Sequence, residues 1–162
     1  MARTTWNSSE LENFISSLDK LNQAAFEELA GTAIYSMANE VANQVRQNLS
    51  ALATSEDKEY KGNSKYLIPE AQKQGLLNSL GIASMRKEGS GYDVRIGFDG
   101  YNDVHTKTYP QGQPNTLIAR LTESGSTWRV KQPFFRPALN ASKKRAQEAG
   151  IEKAKAFLLR II

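Results

Sequence analysis

Cysteine is absent from the 162 residues, and histidine occurs once, at His105. No disulfide, thiolate metal site or cysteine nucleophile is therefore available, and no centre that needs two imidazoles. Long apolar runs are missing too. The longest is Ala156-Phe157-Leu158-Leu159, against the roughly 20 residues that span a bilayer. Met1-Ala2-Arg3-Thr4-Thr5-Trp6 has no apolar stretch behind it, which argues against a secretory signal. The expectation is a soluble chain made in a cytoplasm, with no membrane contact.

Catalytic frames are equally scarce. Ser124-Gly125-Ser126 lacks the Gly-x-Ser-x-Gly frame of a nucleophile elbow, and no glycine-rich loop ends in Gly-Lys-Ser or Gly-Lys-Thr. Asp99, Asp103 and His105 lie close in sequence, but their spacing matches no metal motif, and aspartate is favoured in such a turn-rich stretch for local reasons. The sequence points away from an enzyme and implies no metal and no cofactor.

What is present suffices for a core. Apolar residues make up 40% and charged residues 23%, and a chain of this size hides about 70% of its extended surface. One domain over 1–162 is expected, with 1–9 as an N-terminal tail. The net charge of +4 conceals an asymmetry. Residues 1–60 carry four cations and nine anions, while the remainder carries seventeen cations and eight anions. Such a chain can bind an acidic partner or copies of itself, acidic part to basic part.

Helical spacing opens the sequence. Ser9 and Glu12 fit a capping box ahead of Leu11, Phe14, Ile15, Leu18 and Leu21. A longer stripe follows in Phe26, Leu29, Ala33, Met37, Val41, Val45, Leu49 and Leu52, with Gly31 as a candidate break. After a polar, turn-rich stretch over 54–75, Tyr92, Val94, Ile96 and Phe98 alternate with polar residues and predict one strand. Residues 100–115, punctuated by Gly100, Pro110, Gly112 and Pro114, read as a protruding loop or hairpin arm, mobile in the free subunit. Pro137 suits the first position of a final helix. Leu139, Ala146, Ala149, Ala154, Phe157, Leu158 and Ile161 form its apolar stripe. The fold class is α+β: a long N-terminal helical region and a C-terminal helix packed on a small, mostly antiparallel sheet.

Residues 128–145 invite a nucleic-acid reading, because Arg129, Lys131, Arg136, Lys143, Lys144 and Arg145 interleave with Trp128, Phe134 and Phe135. The competing reading places the aromatics in the core and the cations on a solvated helix face.

A resemblance appears in the same third of the chain. Ala119-Arg120-Leu121-Thr122-Glu123-Ser124-Gly125-Ser126, followed by Pro133-Phe134-Phe135-Arg136-Pro137-Ala138-Leu139, resembles the signature of the tail-component, or head-to-tail joining, family of long-tailed bacteriophages. Gly75-Leu76-Leu77-Asn78-Ser79-Leu80 is similar to a weaker family element. The stretch at 100–115 is longer than the family pattern. The resemblance implies a virion structural protein of the neck, made in the host bacterial cytoplasm, that resembles tail terminators. It would form a homomeric ring, commonly of six subunits, contacting the tail tube protein and the head-side connector, with DNA only passing through the lumen. Glu123, Gly125, Pro133, Phe134, Phe135, Arg136 and Pro137 are the implied motif and interface residues. Arg136 would pair with a carboxylate, Glu123 being a candidate in the same or the next subunit. The nucleic-acid reading of 128–145 is the alternative function.

Overall fold

Two long helices form the backbone of the molecule, each carrying small side chains where they meet. The structure is a computed structural model, and it describes residues 22–55 and 65–161 together with Glu12, Ser16 and Asp19. The capping box at Ser9 and the stripe from Leu11 to Leu21 lie outside the described residues. Helix α1 spans Gln23–Ser50, α2 Glu70–Ser79, α3 Asn115–Ser124 and α4 Phe135–Ile161. Four short strands lie between α2 and α3: β1 Leu80–Ile82, β2 Arg86–Glu88, β3 Gly91–Asp93 and β4 Ile96–Phe98. The fold is α+β, with long helices at both ends of the described chain and antiparallel pairing throughout the strands.

Asn22 caps α1, its Oδ1 accepting the Ala25 N–H at 2.9 Å, which satisfies one of the donors a helix start leaves open. Gly31 does not interrupt the helix. α1 and α4 make the main helix–helix packing of the fold. Ala38 and Ala42 on α1 and Ala138, Ser142, Ala146 and Gly150 on α4 are buried, and such small residues let backbones approach closely. At the tightest point a Cβ on Gly150 would fall 2.5 Å from Met37 Cγ. The final helix therefore turns a small-residue face inward, and the expected stripe is corrected at its two ends: Leu139 and Ile161 are exposed. Arg145 stands 4.0 Å from Glu40, and Arg160 stands 3.1 Å from Glu28. Part of the acidic–basic asymmetry is thus closed within the subunit, although exposed pairs of this kind add little stability.

The single strand expected over 92–99 is broken. β1 pairs with β4 and β2 with β3, so 80–98 is one interrupted hairpin. Ile82 faces Ile96 and Arg86 faces Asp93, which sets residues 83–85 against only 94–95. That extra residue is a bulge, which bends the strand and leaves a ladder group unpaired. Met85 supplies the group, and its N–H donates instead to the Tyr35 hydroxyl of α1 at 2.7 Å.

Residues 100–115 form a tied hairpin. Asn102 N–H donates to Gln113 O and Gln113 N–H to Val104 O, both at 3.0 Å, and Thr106 and Tyr109 exchange bonds at 3.1 Å. Gly112 lies at φ 102°, and a Cβ there would sit 2.0 Å from the Asn102 carbonyl oxygen; only glycine closes this turn.

The core gathers Val45, Leu49, Ile68, Leu76, Leu80, Phe98, Ile118 and Phe134. A smaller cluster of Leu29, Phe157 and Leu158 fastens the far end of the helix pair. Among the described residues no helix is long and apolar enough to cross a membrane.

Candidate assembly site

The motif residues of 119–139 come together where α3 ends and α4 begins. α3 stops at Gly125, whose φ of 74° favours glycine and whose N–H donates to Leu121 O at 2.8 Å. A Cβ at Gly125 would also lie 3.1 Å from the Lys131 backbone. The chain then turns on Ser126, whose Oγ accepts the N–H groups of Trp128 and Arg129. It returns along α3, with Gln132 N–H donating to Thr122 O at 2.8 Å. The buried Gln132 side chain fixes this return by accepting from Ile68 N–H at 2.9 Å and donating to Ala53 O at 2.8 Å. Residues 133–137 are thereby laid against Glu123.

Glu123 is the organising group. Its Oε2 accepts the N–H of Phe134 and of Phe135, both at 2.8 Å, and its Oε1 accepts the N–H of Arg136 at 3.0 Å. A helix start leaves about four N–H groups without intrahelical partners. Here three meet one carboxylate, and the fourth does not exist because the next residue is Pro137. The first backbone bond into the helix is Ala138 N–H to Phe134 O at 3.3 Å. Pro137 therefore occupies the third helical position rather than the first, the last place where a missing N–H costs nothing. Asn48 of α1 donates its Nδ2 to the same Phe134 carbonyl at 3.1 Å, tying the helix start to the N-terminal helix.

Partial burial raises the Glu123 pKa, but the three N–H groups and the Arg136 charge outweigh it and hold the carboxyl below its usual range. The contact of Glu123 with Arg136 thus runs through the backbone N–H, and the Arg136 side chain stays exposed. Phe134 is 1% exposed and packs edge-on against Phe98, ring centres 6.0 Å apart. Phe135 is half-buried and lies 6.4 Å from both Phe98 and Phe134. Pro133 and Pro137 are exposed. Beside them opens a groove of about 410 Å³, with Phe98, Ala119, Phe135 and Leu139 along its apolar part and Arg120, Glu123 and Arg136 among its polar lining.

The basic–aromatic stretch does not form one surface. Arg129 is buried, donating to Gln72 Oε1 and, at 3.3 Å, to Thr122 Oγ1. Its guanidinium also lies 5.3 Å from the centre of the Tyr66 ring. Phe134 is in the core. Trp128, Lys131, Arg136, Lys143, Lys144 and Arg145 remain at the surface. Asp99, Asp103 and His105 are likewise not gathered, and among the described residues no group of three or more His, Asp or Glu is placed to hold a metal. His105 Nδ1 lies 2.8 Å from Pro110 O, a contact within the arm.

Sequence reasoning missed Asn48, Gln72, Thr122 and Gln132, the polar residues that set the site. Their only signal is position: each is a polar residue on a helix, or on the extended return to α4, that also buries apolar side chains. Comparison of the chain with protein-family models, with curated proteins and with solved structures returns no match.

Proposed function

We propose that this chain is a structural protein of a phage neck, assembling into a homomeric ring that completes or terminates the tail tube and meets the head connector. The observation that carries the reading is the way Glu123 gathers Phe134, Phe135 and Arg136. The residues on which the family resemblance rests act as one mechanical unit, braced by Gly125 and by prolines on both sides. Two prolines leave the segment little conformational entropy to lose on docking. The unit presents Arg136, Leu139 and the half-buried Phe135 beside an open groove. This combination of a partly apolar centre with charges around it suits contact between subunits. The mechanism is assembly, with the ring bearing on the tail tube below and the connector above.

The test is the mass of the purified chain by sedimentation, alone and with tail tube protein, beside DNA affinity across a salt series. A closed oligomer larger than a dimer, alone or on the tube, with negligible DNA affinity is the expected result. Arg136→Glu should abolish that oligomer and leave a folded subunit. A chain that stays monomeric with the tube present, and binds DNA with a steep salt dependence, would replace the ring with the nucleic-acid reading.

A further inference from the structure

The β1–β4 ladder turns Leu80, Ile82, Ile96 and Phe98 toward the helices and its other face outward. At the centre of that outer face Gly81 and Gly97 are direct cross-strand partners. Neither has a positive φ, and a Cβ built on either would meet nothing within 4 Å. Nothing within 4 Å of a Cβ therefore calls for glycine at these positions, although glycine weakens a strand. Two unforced glycines facing each other on an open sheet, next to the bulge, leave room for another backbone to come close there.

The neighbours on the same face say what approaches. The register continues to Ala83 opposite Arg95, joined by a bond of 2.8 Å, and to Ser79 opposite Asp99, joined at 3.3 Å. Arg95 and Asp99 stand two residues before and two after Gly97, so the face is positive at one end and negative at the other, with small residues between. Both charges are exposed. Arg95 lies 3.6 Å from Asp93 yet keeps its side chain 70% exposed. A twofold axis through the glycine pair would bring Arg95 of each copy opposite Asp99 of the other. The closest approach would then fall where neither copy has a side chain.

We propose that this face is a contact surface for a second copy of the same chain, placed about a twofold axis at the Gly81–Gly97 pair. Face-to-face sheets normally sit about 10 Å apart because side chains fill the gap; four glycines at the axis permit a shorter spacing. A twofold contact closes on two copies, whereas a ring is built from head-to-tail contacts on different surfaces. The inference does not rest on the ring reading, although Gly97 also lines the groove beside Phe135 and Leu139; a pair that stops at two copies and survives Arg136→Glu separates it from a ring contact.

The chain has no cysteine, so a single introduced thiol can form a disulfide only with another copy. Gly97→Cys should convert to a covalent dimer under mild oxidation, while Lys153→Cys, on the exposed side of α4, should not. Arg95→Asp and Asp99→Arg should each weaken self-association, read by sedimentation equilibrium, by roughly tenfold. The double reversal R95D/D99R should restore it, because every opposed pair again has opposite signs. Gly97→Val should remove the dimer with the melting temperature unchanged or raised. Absence of a Gly97→Cys dimer, equal cross-linking at position 153, or failure of the double reversal to recover association would each overturn the proposal. The cysteine and charge variants keep the test decisive even if Gly97→Val disturbs the fold.

Discussion

The Glu123 carboxylate and the Phe135 backbone N–H are joined at 2.8 Å across eleven intervening residues. The same carboxylate holds the N–H groups on either side of it, so one side chain at the end of α3 caps α4 from outside the helix. Glu123→Ala should destabilise the fold by about 1–2 kcal/mol, the range of a lost helix cap. That corresponds to a fall in melting temperature of about 2–4 °C per kcal/mol for a chain of this size. Glu123→Gln should lose less, since its amide oxygen still accepts. Calorimetry on the two variants checks the order.

Acid should remove this contribution in a defined direction. The folded Glu123 pKa lies below its usual value, so the ionised cap stabilises fully above the unfolded carboxylate range, near about 4.3. It is lost as pH falls through the folded value. The melting-temperature gap between the parent and Glu123→Gln should therefore be widest near neutrality and shrink on acidification. A gap that stays constant from pH 7 to strongly acidic conditions would show that the charge of Glu123 plays no part.

Adjacent phenylalanines should separate stability from assembly. Phe134 fills the core between Phe98 and α1, and Phe134→Ala should cost about 3–5 kcal/mol as a large cavity opens. Phe135 is only partly buried and lines the groove beside Leu139. Phe135→Ala should lose less stability and should impair oligomer formation at concentrations where the subunit remains folded. Chemical denaturation set beside sedimentation distinguishes the two. Equal losses of stability would place both rings in the core.

How much of this could be read from residues alone depends on what the packing used. The stripe of α1 was legible from Leu29 onward because Leu29, Val45 and Leu49 recur at helical spacing and are buried, whereas Phe26 at its head is exposed. The stripe of α4 was misplaced at Leu139 and Ile161 because its inward face is Ala138, Ser142, Ala146 and Gly150, residues with little hydropathic signal and chosen for closeness. The alternation of 92–98 was visible, but a bulge has no signature in period-two patterning, so the break at 94–95 was not. Glu123, Phe134, Phe135 and Arg136 were picked out as a unit through the resemblance. The bond that unites them was hidden, since a carboxylate that accepts backbone N–H groups looks in sequence like one that pairs with arginine.

Closeness itself can be tested at Gly150. A Cβ there would reach Met37 Cγ at 2.5 Å and the Ala33 carbonyl at 3.4 Å, in a molecule whose two long helices depend on that approach. Alanine in a helix interior gains about 1 kcal/mol over glycine from propensity, which Gly150→Ala should partly or wholly forfeit to the clash. Gly150→Val adds branching and should destabilise by about 2–3 kcal/mol, as overpacking does. Gly31→Ala is the control. It sits in α1 with only the end of Met85 nearby, at 3.7 Å, and should be neutral or stabilising. Thermal denaturation of the three variants settles whether space or propensity governs each position.

The arm at 100–115 should be ordered in the isolated subunit, contrary to what its length and its Gly and Pro content suggest. Its ladder ties Asn102 to Gln113, Gln113 to Val104 and Thr106 to Tyr109. The Asn102 side chain adds a bond of 2.8 Å from Val104 N–H. Asn115 anchors the base by donating its Nδ2 to Asp99 O at 2.9 Å and its N–H to Gly100 O at 3.0 Å. Amide exchange should be slow at Asn102, Val104, Thr106, Tyr109, Gly112, Gln113 and Asn115, the residues whose N–H groups are bonded, and fast at Asp103 and Lys107 between them. Asn115→Ala, which removes the side-chain anchor and leaves the backbone bond, should speed exchange along the hairpin while α1 and α4 keep their protection. Uniformly rapid exchange over 100–115 in the parent chain would mean that the ladder is not held in solution.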